Sequence, residues 1–184
     1  MKLLLLSLLA LFSLRAHGAD HLAQEYEFLK QSSSSHSARE LDLGVDVNGD
    51  CPFDTKTLRR KIEGEFVRAQ IKEKRGLSQY HDKDRMAVYL DTAVKCLPVR
   101  LSSGKLIAVT VSHRTAFGTA LEVTPRPGAF RQWRGAVFAR PEFTFDAIYG
   151  PEVFDDPTQV INRILSEVSD ALTLFLKANI ASSN

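Results

Sequence analysis

The chain has 184 residues, 44% hydrophobic and 25% charged, the composition of an ordinary folded protein and a length that suits one domain. Lys and Arg total 24 against 22 Asp and Glu, a formal net charge of +2. Removing Lys2 and Arg15 with the leader argued next leaves 22 of each sign. That balance excludes both a global basic field for nucleic acid and an acidic tail.

Met1 and Lys2 give a short positive start, and Leu3 to Leu14 is an apolar run broken only by Ser7 and Ser13. Ala16-His17-Gly18 sets small residues on either side of His17, ahead of a cut before Ala19. These are the parts of a secretory signal peptide over residues 1–18. The run is shorter than the roughly 20 residues a spanning helix needs, and no transmembrane segment remains after cleavage. The expected address is periplasmic or secreted. Cys51 and Cys96 both fall in the mature part, so in an oxidising compartment they are expected to form one disulfide. The chain-entropy model makes such a bridge worth roughly 4 kcal/mol. Neither Cys has a second Cys or His at zinc-ligand spacing. The chain also holds no Asn-x-Ser/Thr acceptor, in keeping with a bacterial periplasm.

Leu22, Tyr26 and Leu29 stand at helical spacing, and Gln31 to Ser37, with five serines, reads as a linker. Residues 19–38 are thus an N-terminal segment with a Ser-rich linker, and 39–184 a single domain. Leu41, Leu43, Val45 and Val47 alternate with polar or small residues, the period of a half-buried strand that Asn48-Gly49-Asp50 ends. Asp54 is placed as an N-cap, with Phe53 and Leu58 as a hydrophobic staple. Leu58, Ile62, Phe66 and Ala69 predict an amphipathic helix from Thr55 to about Glu73. Arg75 to Arg85 is polar and reads as a surface loop. Met86, Val88, Leu90, Thr92 and Val94 share one face of a second strand that reaches Cys96 and stops near Pro98. Ser102-Ser103-Gly104 turns the chain into a third strand through Ile107, Val109 and Val111 towards Val123. Pro125-Arg126-Pro127-Gly128 is a turn, and a fourth strand runs from Phe130 to Phe145, with Pro141 calling for an edge or a bulge. Asp156-Pro157-Thr158-Gln159 opens a last helix whose apolar stripe runs from Val160 to Leu176.

The expected fold is therefore α+β, a two-layer sandwich of order β-α-β-β-β-α. A four-stranded mixed sheet carries both helices on one face. The crossover makes the first two strands parallel, which sets Cys51 and Cys96 at the same end of the sheet. In topology this order resembles small envelope domains such as the N-terminal domain of the translocation protein TolB. No shared motif transfers a residue role.

Signatures of common enzymes are missing: there is no Gly-x-Ser-x-Gly, no Gly-rich phosphate loop, no His-Glu-x-x-His and no Cys-x-x-Cys. His21 and His36 fall in the N-terminal segment, and His81 lies among Asp82, Lys83, Asp84 and Arg85, where the cations repel a metal. His113 follows Val109 and Val111 on an apolar face, a position for a core histidine. Asp42, Asp46 and Asp91 point off the core faces of their strands. The most concentrated feature is the last hairpin. Pro125 to Arg140 holds Arg126, Arg131, Arg134 and Arg140 with Phe130, Trp133 and Phe138, and no acid. Arg forks grip carboxylate and phosphate groups, and Trp anchors interfaces. The sequence thus points to a non-enzymatic binding or accessory protein. Arg126, Phe130, Arg131, Trp133 and Arg134 would engage an envelope protein or an anionic glycolipid. No cofactor or metal is called for. The competing reading is a periplasmic enzyme, a hydrolase, with a cleft near His113.

Overall fold

The structure, a computed structural model, describes Leu29 and residues 39–73, 88–123 and 133–180; side chains at 119–123, 133–141 and 180 are outside it. Among the described residues five strands form one mixed sheet ordered β2-β1-β3-β4-β5, packed with two long helices. The strands are β1 (Glu40–Gly49), β2 (Lys72–Glu73), β3 (Val88–Arg100), β4 (Leu106–Val123) and β5 (Trp133–Tyr149). The helices are α1 (Thr55–Arg68) and α2 (Thr158–Ile180), with a 3-10 turn at Pro151–Phe154 before α2. The α+β class and the mixed sheet agree with the sequence reading. The strand count does not.

The additional strand is β2, and it comes from the helix ending early. Helix α1 starts where expected, with the Asp54 side chain accepting from the Thr57 N–H at 2.6 Å. It stops at Arg68 rather than near Glu73, because Gln70 takes a left-handed φ of 55°. That turn lets the Ile71 N–H reach the Phe66 carbonyl at 2.9 Å and buries the Ile71 side chain. Lys72 and Glu73 then run parallel to β1, paired with Glu40 and Leu41. Arg59 ties this corner together by donating to Glu63, to the Leu43 carbonyl and to Glu73. The crossover from β1 thus returns first to β2, and β3 pairs parallel on the other side of β1.

Strand β3 continues through Pro98 to Arg100. Its pairing with β1 ends at Gly49↔Cys96, so Pro98 keeps only β4 as a neighbour and its missing N–H costs little. Strand β5 runs on to Tyr149, beyond the expected end at Phe145. Pro141 sits in the irregularity that separates the pairs Phe117↔Ala139 and Thr115↔Phe143, which is the bulge its missing N–H calls for.

One face of the sheet is the core. Leu41 and Leu43 of β1, Leu90, Val94 and Cys96 of β3, and Val109, Val111 and Phe117 of β4 meet Leu58, Ile62 and Phe66 of α1 and Ile164, Val168, Leu172 and Phe175 of α2. Phe117 and Phe175 stack at 6.1 Å between sheet and helix. Leu29 joins this core at 1% exposure, and its carbonyl accepts from the Asn179 amide at 2.9 Å. The Cys51–Cys96 disulfide closes the end of the β1–β3 pairing, just past β1, with Cα atoms 5.0 Å apart. Parallel pairing had put both residues at that end. The expected signal peptide over residues 1–18, the Ser-rich linker and the 75–85 loop lie outside the described residues.

Candidate functional site

Among the described residues the β4–β5 hairpin extends past the neighbouring strand β3. Strand β3 begins at Val88, opposite Thr119. Past that point, among the described residues, β4 and β5 pair with each other alone, through Ala120↔Ala136, Leu121↔Gly135, Glu122↔Arg134 and Val123↔Trp133. Trp133 and Arg134 therefore open β5 in the overreaching part of the hairpin. The register also sets an acid, Glu122, opposite Arg134, which a reading confined to Pro125–Arg140 leaves out. Arg126, Phe130 and Arg131 fall between the two strands, outside the described residues.

His113 is 2% exposed and lies on the core face of β4. Its Nε2 shares a hydrogen bond with the Thr115 hydroxyl at 2.9 Å, and that hydroxyl meets Thr92 Oγ1 at 3.0 Å. The imidazole packs 4.9 Å from the Phe145 ring, and the Arg163 guanidinium of α2 sits 4.2 Å over the same ring. Burial, joined by the Arg163 charge, pushes the His113 pKa down to about 4. Its Nδ1 is buried with no hydrogen-bond partner among the described residues. A histidine this buried, on the core face of β4, offers a substrate little access. His21, His36 and His81 are outside the described residues. Among the described residues no cluster of His, Cys, Asp and Glu has the geometry to hold a metal.

The face opposite the helices carries the acids predicted to point away from the core. Register gives rows across β1, β3, β4 and β5: Asp46, Ala93, Arg114 and Thr144 form one, and Asn48, Lys95, Ser112 and Asp146 the next. Asp91 pairs with Arg114 at 3.3 Å; burial still raises its pKa, opposed by Arg114 and reinforced by Asp46. Asp42 departs from the expected solvated face, for it is 4% exposed. Tyr89 on the same face is also buried, which raises its pKa, and its ring leaves no room for a side chain at Gly118.

Towards the other end this face holds an open groove of about 520 Å³ lined by Lys95, Leu97, Thr110, Ser112, Asp146 and Ile148, among others. Leu97 and Ile148 are exposed beside it. The sequence reading missed it by ending the last strand at Phe145. The signal was there: Phe143, Phe145, Ala147 and Tyr149 alternate with Glu142, Thr144, Asp146 and Ile148.

No family model and no curated protein matches the chain. Among solved structures it is similar to the rare lipoprotein B from Shewanella oneidensis, at 14% identity and a TM-score of 0.27, over 77% of this chain and 95% of that one. It is also similar to a minor lipoprotein from Acinetobacter baumannii, at 13% identity and a TM-score of 0.29, over 80% and 94% of the two chains. Superpositions this weak assign neither ancestry nor role.

Proposed function

We propose that the protein is an exported, non-enzymatic binding or accessory protein of the bacterial envelope. It engages a partner that presents anionic groups on an apolar surface, either an envelope protein or an anionic glycolipid. The contact is made by Arg126, Phe130, Arg131, Trp133 and Arg134. The observation that supports the reading is that, among the described residues, β4 and β5 pair past the Val88↔Thr119 pair, with Trp133 and Arg134 at the register positions there. Residues 1–18 and the Cys51–Cys96 bridge support an oxidising, exported address. The burial of His113 weighs against the hydrolase reading.

The test is a photo-crosslinking residue at position 133 of the full chain, expressed in its own host, with adducts identified by mass spectrometry. One recurrent envelope protein or glycolipid is the expected result, lost in the Arg134→Glu variant while the disulfide and the far-ultraviolet spectrum stay unchanged. A folded, exported protein that gives no adduct at this position removes the hairpin as the contact.

A further inference from the structure

We propose that the outer edge of β5, over Glu142–Tyr149, is a strand-addition site for an extended segment of a partner protein in which basic and apolar residues alternate. This surface is separate from the hairpin tip. Strand β5 is last in the sheet order, so alternate residues of this stretch turn N–H and C=O groups away from β4, with no strand beside them among the described residues. Bare edges invite further strands, and proteins blunt them with bulges, prolines and lysines. Here Pro141 and its bulge guard only the approach. From Glu142 to Tyr149 the strand runs without Pro, Gly or Lys.

The side chains along this edge say which strand fits. On the open face Glu142, Thr144, Asp146 and Ile148 are all exposed, Ile148 to 73%. Among the described residues no cation pairs with Glu142 or Asp146; Lys95 stands two strands away from Asp146, across Ser112. On the other face Phe143, Ala147 and Tyr149 are only partly covered by the core. An added strand of this pattern would set cations beside Glu142 and Asp146, with the apolar stem of a further Lys or Arg beside Ile148. Its opposite face would extend the core over Phe143 and Tyr149. A second copy of this chain fits poorly. Pairing two β5 edges doubles the carboxylates on one face, and a dyad at Thr144 sets Glu142 directly opposite Asp146. The two acids thus turn the edge away from self-association and leave it open to a basic strand.

The experiment takes the full mature chain and two synthetic peptides of about eight residues, a common strand length. One alternates Lys with Val, the other Glu with Val. Binding is read by fluorescence anisotropy and by amide hydrogen exchange. The Lys peptide is expected to bind and to slow exchange within residues 142–149, and the Glu peptide to do neither. In the Glu142→Lys/Asp146→Lys variant the preference reverses, each affinity moving about tenfold. Should that variant not fold, Glu142→Gln with Asp146→Asn is expected to abolish the discrimination instead. Unprotected amides in 142–149 with both peptides overturn the proposal, as does a preference that the charge changes leave intact. Concentration-dependent protection of the same amides without peptide overturns it too, by giving the edge to a second copy.

Discussion

His113 shows how a single residue makes stability depend on pH. Its ordinary pKa of 6.5 falls to about 4 in the fold, so between those values the unfolded chain binds a proton that the native state refuses. The stabilisation is complete above the unfolded value and is lost as pH falls from about 6.5 towards about 4. The gap is worth about 3 kcal/mol at most. The His113→Phe variant keeps a ring against Phe145, and Thr115 keeps its bond to Thr92. Urea titrations at pH 7 and pH 4.5 should show the wild type losing about 2 kcal/mol more than this variant. Asp91 and the other carboxylates contribute equally to both proteins and cancel. Parallel pH profiles would place the acid sensitivity elsewhere. Gly49 makes a second case. It has a φ of 77°, and an added Cβ would lie 2.2 Å from the Cys96 carbonyl oxygen. Because the obstacle is backbone, Gly49→Ala is expected to destabilise by more than about 2 kcal/mol, measured by denaturant titration. The sequence marked Gly49 as part of a turn. It could not show that the glycine also makes room for the neighbouring strand, because that depends on register.

Elements with many periods were legible, and short or interrupted ones were not. Alternation in Leu41–Val47 and in Val88–Val94 was enough for β1 and β3, and the Asp54 cap with its apolar stripe was enough to start α1. Strand β2 has two residues, and a period of two cannot be seen in two residues. Its existence depends on Gln70 turning left-handed and on Arg59 reaching Leu43 and Glu73, both consequences of packing. Strand β3 seemed to stop at Pro98 because a proline cannot pair on both sides, whereas β1 has already ended there. Two substitutions separate local from tertiary control. Asp54→Ala removes only the bond to Thr57 and should lower the midpoint of a denaturant titration without changing exchange in β2. Arg59→Met keeps the apolar stem and removes the links to β1 and β2. Hydrogen exchange should then quicken at Lys72, whose N–H donates to the Arg39 carbonyl at 2.7 Å, while the amides of α2 stay protected. Unchanged exchange at Lys72 would mean that the buried Ile71 holds β2 in place without Arg59.

The whole molecule joins two parts of different connectivity. Strands β3, β4 and β5 form a meander whose pairings are hairpin-like. Strand β1, α1 and β2 form a parallel unit attached to it by β1–β3 pairing and by the core shared with α2. The candidate surfaces belong to the meander: among the described residues the hairpin is the end that passes β3, and the outer edge of β5 has no strand beside it. The hairpin could be seen in the sequence because arginines and aromatics are concentrated there. The edge could not, since only the strand order shows which strand lacks a neighbour. Cys51–Cys96 bridges the two parts just where β1–β3 pairing ends at Gly49↔Cys96. Closing that loop is worth roughly 4 kcal/mol through the unfolded chain, so reduction should lower the unfolding free energy by about that amount. Reduction also has a local consequence. The meander keeps its pairings, whereas the parallel unit loses its covalent tie. Exchange in Leu43–Val47 of β1 is therefore expected to quicken more than in Val109–Thr115 of β4. Equal acceleration at both places would show that the two parts unfold as one cooperative unit and that the bridge acts on the unfolded chain alone.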